Sequence, residues 1–375
     1  MFILTFLLGK LLEKFRVPWI FSALLIGLLL SIYNPFKDVT SSDVFTFLAN
    51  VGMYFLLFIV GLELDLKEIK KKGMFIVGGT FSIILFEALF GAITIHFLFH
   101  YSWFISVLVG LSFATVGEAI LIPILDEFKL VNTNLGQMII GIGTLDDAFE
   151  IFTLILVSLV IGSQVHETVH TLTVMVSLFF MFVLAFGFTK FKKEGEKFKF
   201  KRIETLFLFA MFVLFIFIGI GHYAESAALG ALLAGVSLKT FLPKKRLKLI
   251  ENDIRSVCYG LFAPIFFLWV GVSINAQYLS SFPLVVLIFF AVSAISKILA
   301  SVIVGTKSLG FKKSFILGVG LTSRFSTSIV IIKILLDNGI VSLPLYSVIV
   351  ASTALFTFFV PITFAKLISI WKVRR

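Results

Sequence analysis

Apolar residues run almost unbroken along this chain, and polar clusters interrupt them at intervals of roughly 20 residues, the length a helix needs to cross a bilayer's hydrocarbon core. The runs are continuous rather than alternating, so strands are excluded as the spanning element. A helix in each interval predicts spans at 1–14, 17–33, 44–64, 73–98, 102–126, 133–162, 169–189, 203–221, 223–242, 256–278, 283–306, 312–336 and 342–371. The pattern specifies an all-α polytopic membrane protein with about thirteen transmembrane helices and no soluble domain of any size. The first run starts at Met1, without a basic leader or a small-residue cleavage site, and is read as a first helix rather than a signal peptide.

Composition agrees. Of all residues 59% are hydrophobic and 14% charged, against about 25% charged in a soluble domain. The net charge of +11 would suit a nucleic-acid partner, but its placement argues against one. Lys and Arg gather in every second break: Lys10 to Arg16, Lys67 to Lys72, Lys129, the loops Lys190 to Arg202 and Lys239 to Arg255, Lys307 to Lys313, and the tail from Lys366. The intervening breaks hold Lys37 alone. The positive-inside rule then puts the N-terminus outside and the C-terminus in the cytoplasm. The single cysteine, Cys258, supports neither an intramolecular disulfide nor a cysteine metal site.

With that orientation, helix 1–14 runs inward and helix 203–221 outward. Six helices, a linker helix and six more then form two inverted-topology six-helix repeats. The sequence carries an echo of them. Phe55 to Asp65 and Phe266 to Asn275 both end a Phe-rich run in Val-Gly followed by a polar pair, and Ser22 to Leu28 shares small-residue spacing with Leu229 to Val236.

Candidate chemistry comes from charges inside the spans. Glu87, Glu118, Asp146, Asp147 and Glu150 fall at membrane depth, as do Lys297, Arg324 and Lys333. A charge there costs several kcal/mol unless something compensates it, so it is paired or used. Asp146 and Asp147 are adjacent and point about 100° apart on a helix, and Glu150 can share a face with either. The natural use of such a pair is to hold a proton or a cation in transit. Phe113 to Ala119, with Thr115 and Glu118, and Leu321 to Ser328, with Thr322, Ser323 and Arg324, put small polar residues mid-span in corresponding places of the two halves. Transporter helices break at such segments; the plainer reading is a kinked helix whose hydroxyls bond back to it.

Lys297 lies too far from its helix ends to snorkel, and a carboxylate partner would lower its cost. Glu87 is read as core-facing or hydroxyl-bonded rather than functional, and Lys333 as reaching water without a role. His96, His100, His166, His170 and His222 lie at outer ends or loops and read as solvated; their i,i+4 pairs would suit zinc only in helical form. No phosphate loop, His-Glu-x-x-His or Gly-x-Ser-x-Gly motif occurs, so no enzyme is expected.

Leu8 to Pro18, Leu56 to Asp65, Gly143 to Asp147, Ala228 to Gly235 and Pro264 to Ser273 together carry a resemblance over nearly the whole chain. On them the sequence resembles the monovalent cation:proton antiporters, specifically the bacterial sodium/hydrogen exchanger domain in the branch of electrogenic sodium/proton antiporters and glutathione-gated potassium efflux systems. The resemblance implies a homodimer in the lipid bilayer of a bacterial plasma membrane. Each protomer would have a dimerisation panel (1–66 and 203–278), an ion-binding core (73–165 and 283–375) and a linker helix with its loop (169–202). It further implies that Asp147 binds proton or cation and that Asp146 pairs with Lys297; the expected mechanism adds that this pair opens when sodium enters and releases a second proton. Thr115 and Glu118 join the ion-binding set from the first break, and Glu150, Arg324, Thr322 and Ser323 are polar core candidates.

Asp146 favours sodium, since the potassium relatives usually carry Gln there. Glu118, Glu150 and the Phe325-Ser326 pair depart from the family pattern and leave selectivity open. The only bound species expected are transported Na+ or K+ and protons. The expected function is antiport of sodium for protons by alternating access. Potassium/proton antiport, sodium-coupled solute symport and a cation channel are the alternatives.

Overall fold

A computed structural model of the chain describes residues 1–64, 73–163, 168–190, 202–223, 226–324 and 326–371. Among the described residues the regular structure is helical throughout. The helices are α1 Phe2–Glu13, α2 Phe21–Ile32, α3 Lys37–Thr40, α4 Asp43–Glu63, α5 Met74–Phe99, α6 Trp103–Phe113, α7 Glu118–Glu127, α8 Asn134–Ser163 and α9 Thr168–Lys190. There follow α10 Ile203–Tyr223, α11 Ala227–Phe241, α12 Lys244–Val257, a π-helical turn Cys258–Phe262, α13 Ala263–Val272, α14 Ala276–Ser281, α15 Pro283–Leu309, α16 Phe311–Leu321, α17 Ser326–Asp337 and α18 Leu343–Ile370.

Among the described residues, six helical stretches are long and apolar enough to cross a membrane: Asp43–Glu63, Ile76–Phe99, Ile203–Tyr223, Lys244–Val272, Pro283–Leu309 and Leu343–Ile370. Shorter apolar helices include Phe21–Ile32, Trp103–Phe113 and Ala227–Phe241. The chain is an integral membrane protein.

Two predicted helices, 102–126 and 312–336, are interrupted at mid-span, between α6 and α7 and between α16 and α17. The polar residues at those points have replaced helical hydrogen bonds by others described below. The expected helix 256–278 needs correction at both ends. The observed helical stretch begins earlier, at Lys244, inside what reads as the basic loop Lys239 to Arg255, where the structure has α12. There Leu247, Ile250 and Ile254 are buried at helical spacing while the charged residues line the other face. Such a helix is amphipathic rather than apolar, so a search for apolar runs passes over it. At the other end, Asn275 caps α14 by accepting from the Tyr278 N–H at 2.9 Å, which starts a separate short helix.

The chain forms two compact units. One comprises Pro35–Leu64 and Leu154–Trp269. In it α4 and α11 approach until backbone meets backbone: a Cβ at Gly61 would strike the Leu232 carbonyl, and one at Gly235 the Phe58 carbonyl. Small residues permit this approach in a membrane, where packing replaces the hydrophobic effect. At the end of α4, Lys239 Nζ donates to the Glu63 carbonyl at 2.5 Å, and Arg255 bridges Glu63 at 2.7 Å and Glu251 at 2.9 Å.

The other unit comprises Met1–Asn34, Asp65–Thr153 and Val270–Arg375. It holds both broken helices and most of the buried charge. Here too a glycine lies on a backbone, since a Cβ at Gly271 would meet the Leu24 carbonyl and come within 2.8 Å of the Gly27 Cα.

Candidate functional site

The site begins with a backbone problem. Each helix break leaves peptide groups without their i−4 partners, and at membrane depth an unsatisfied one costs several kcal/mol. The two breaks first satisfy one another. The Gly117 N–H donates to the Ser323 carbonyl at 2.6 Å. Gly117 eases this approach, since a Cβ would lie 3.3–3.4 Å from the Arg324 backbone. The segments therefore cross in contact.

Side chains from neighbouring helices satisfy others. Asp146, fully buried on α8, accepts from the Val116 N–H through Oδ2 at 2.6 Å. Lys297, fully buried on α15, donates from Nζ to the carbonyls of Ala114 at 2.8 Å and Thr115 at 3.0 Å. The Thr357 hydroxyl of α18 donates to the Arg324 carbonyl at 2.7 Å.

Glu87, 1% exposed on α5, joins the cations. Its Oε1 pairs with Arg324 Nη2 and accepts from the Ser293 hydroxyl. Its Oε2 lies 2.9 Å from Lys297 Nζ, a charge contact rather than a directed hydrogen bond. Arg324 Nη2 also donates to Ser293 Oγ at 2.7 Å. The guanidinium carbon sits 3.8 Å from the Phe113 ring centroid and 4.9 Å from that of Phe356. Ring faces stabilise a cation that water cannot reach. The carboxylates of Glu87 and Asp146 thus face the cations Lys297 and Arg324. Taken as ionised, these four buried groups balance in charge, the arrangement that makes such burial tolerable.

Several polar atoms in the cluster have no hydrogen-bond partner: Asp146 Oδ1, Arg324 Nε and Nη1, and the hydroxyls of Ser323 and Ser328. Buried groups of this kind are rare in folded proteins and mark a place for a ligand, an ion or water. An unpartnered carboxylate oxygen such as Asp146 Oδ1 suits a hard monovalent cation, which takes oxygen ligands.

The sequence-derived residues fall into place unevenly. Asp147 lies beside Asp146 in α8, and Glu118 opens α7 directly after the first break; the side chains of both lie outside the described residues. Thr115 contributes its carbonyl to Lys297, and Ser323 its carbonyl to Gly117. The Thr322 hydroxyl bonds back to the Val319 carbonyl at 2.7 Å. Glu150 is buried one turn beyond Asp146. Lys333 is buried, not water-reaching, and pairs with Asp337.

The expected ion pair of Lys297 with Asp146 is absent from those of the described residues. An ammonium has three donors, and Glu87, Ala114 and Thr115 supply three oxygens to this one. Glu87 faces the core and accepts from a hydroxyl, as the sequence reading has it; its pairing with the two cations, and Ser293 itself, are what sequence reasoning missed. The available signal was the charge count: Lys297 and Arg324 together demand more than one buried anion.

His96 donates from Nδ1 to the Tyr101 carbonyl, 2.6 Å away, and stacks on Trp103 at 4.0 Å. His166 and the side chain of His170 lie outside the described residues. Among the described residues no group of His, Cys, Asp and Glu could hold a metal ion by itself.

Comparison with known proteins gives a consistent result. The sequence model of the family "Sodium/hydrogen exchanger, transmembrane" matches residues 2–369. Similar proteins include "Probable Na(+)/H(+) antiporter 3" of Methanocaldococcus jannaschii, 27% identical over 368 residues, covering 96% of this chain and 92% of the relative. The Na(+)/H(+) antiporter of Enterococcus hirae is 25% identical over 360 residues, 93% of this chain and 91% of the relative. Among solved structures, the sodium proton antiporter MjNhaP1 from Methanocaldococcus jannaschii at pH 8 matches with a TM-score of 0.62 at 19% identity. That match covers 99% of this chain and 94% of the other, a likeness of fold.

Proposed function

The chain belongs to the sodium/hydrogen exchanger family, and on that premise we propose that it exchanges a monovalent cation, sodium first, for protons across the membrane by alternating access. The observation that carries this reading is the crossing itself. Asp146 is fully buried there with one oxygen unpartnered, and Asp147 adjoins it on the same helix. A carboxylate in that position holds a proton or a cation, and the two exclude one another. Asp147 is the exchanging group in this proposal, with Asp146 beside it and the Thr115 and Glu118 segment forming the opposite wall. A core that crosses between inward- and outward-facing states only when loaded then couples the two fluxes.

The test is proton flux in proteoliposomes against a panel of monovalent cations. Sodium is expected to drive proton movement, and Asp147→Asn to leave a folded protein without it. Full sodium-dependent flux in that variant would refute the assignment. Flux driven by potassium in place of sodium would move the reading to potassium/proton antiport.

The wider architecture belongs to the same proposal: thirteen spans, two inverted repeats, a homodimer, the N-terminus outside and the C-terminus in the cytoplasm. Panel and core keep the residue ranges that the resemblance implies. Two matching glycine contacts support the repeat. Gly61 faces Leu232, Gly235 and Val236, and Gly271 faces Leu24, Gly27 and Leu28, the same offsets along each opposing helix. Helices 44–64 and 223–242 thus meet as do helices 256–278 and 17–33, the exchange of partners that an inverted duplication produces.

A further inference from the structure

We propose that Glu87 is a positioning residue for cation binding, holding the ammonium of Lys297 and the guanidinium of Arg324 so that Asp146 keeps an oxygen free for the transported ion. The inference rests on the reading of Asp146 and Asp147 as the ion-holding carboxylates. It gives a role to a residue that the motifs of the helix breaks leave out.

The geometry argues it in three steps. Lys297 Nζ and Arg324 Nη2 both converge on the Glu87 carboxylate, while Ser293 ties that carboxylate to the guanidinium through one hydroxyl. The Lys297 ammonium is occupied by Glu87 and two carbonyls. Asp146, the other buried carboxylate in contact with the breaks, takes a backbone N–H on Oδ2 and nothing on Oδ1. In a low-dielectric interior a cation turns to the nearest anion. With Glu87 neutralised, Lys297 and Arg324 have Asp146 as their remaining buried counter-charge in the cluster, and an entering sodium ion must displace an ammonium to reach it. Glu87 therefore sets how much of the site is open to sodium rather than how fast the loaded core moves.

The experiment measures sodium-driven proton flux in proteoliposomes at fixed pH, with KM and kcat resolved separately, alongside Asp147→Asn. Glu87→Gln keeps the side chain's shape and removes its charge. It is expected to raise the sodium KM about tenfold while kcat stays within about twofold. Glu87→Gln/Lys297→Gln removes one charge of each sign and is expected to bring KM back to within about threefold of the parent. A purely structural Glu87 would give a worse double variant than single. An unchanged KM in Glu87→Gln, or no recovery in the double variant, overturns the proposal.

Ser293→Ala removes one hydroxyl and guards against variants that fail to fold. It loosens the same grip and is expected to raise KM about threefold; an unchanged KM there counts against the proposal. If Asp147→Asn still exchanges, the underlying ion site is wrong and both readings fall. If Asp147→Asn is inactive and the KM values do not move, the role of Glu87 alone is lost.

Discussion

In the proposed exchange Asp146 serves two ends, and substitution separates them. Its charge is available to an ion, and its Oδ2 caps a backbone N–H that the first break leaves open. Asp146→Asn keeps an oxygen acceptor for Val116 and loses the charge. We expect it to fold with near-parental thermal stability and to lose at least about tenfold in flux. Asp146→Ala also strands the Val116 N–H, at about 1–3 kcal/mol. Thermal unfolding in detergent is expected to rank it below Asp146→Asn; equal stability of the two would contradict the capping role. At this scale the sequence is a good guide to which residues matter and a poor one to how they pair. Asp146, Lys297 and Arg324 stand out because each is a charge in an apolar run. Nothing within helix 283–306 states which of two buried carboxylates Lys297 will meet, because that depends on how three other helices face it.

Both breaks were legible from the hydroxyls and glycines that interrupt otherwise apolar helices, and their lengths came out nearly as expected. Helix α12 was not, for its signal is the spacing of Leu247, Ile250 and Ile254 within a charged stretch, not a mean hydropathy. The close helix pairs of each unit give a test at this level. Gly61→Val would push a branched side chain into the Leu232 carbonyl, and Gly271→Val one into that of Leu24. Backbone cannot yield as a side-chain tip can, so each is expected to cost at least about 1–3 kcal/mol and to lower the monodisperse fraction in size-exclusion chromatography. Gly78→Val, with nothing within 4 Å of its Cβ, is the control and should elute as the parent does. Normal elution of both the Gly61 and Gly271 variants would show that these approaches are loose.

For the whole molecule, orientation rests on charge. The basic clusters at one set of chain turns and the lone Lys37 at the other predict that a cysteine placed at Lys37 reacts with an impermeant reagent in whole cells. A cysteine at Lys312 should react only after permeabilisation; the reverse pattern would invert the topology. The spacing of the buried charges bears on the repeat as well. Glu87 and Lys297 are separated by the same number of residues as Gly61 and Gly271, so in the proposed repeat opposite charges would occupy matching places, and these two meet each other. Fold class and the sites of interruption could be read from one sequence because lipid leaves few ways to satisfy a backbone. The convergence of Glu87, Lys297 and Arg324 could not, since it exists only once segments more than 200 residues apart are packed together.

The hydrogen bond from Gly117 to Ser323 has a mechanical meaning. Backbone stitched to backbone, with Lys297 gripping one strand of the knot and Thr357 the other, makes a weld and not a pivot. Opening it would uncover peptide dipoles in oil. On the proposed alternating access, whatever turns the carboxylates from one aqueous compartment toward the other would carry α6, α7, α16 and α17 as a single block, with the compliance at that block's margins.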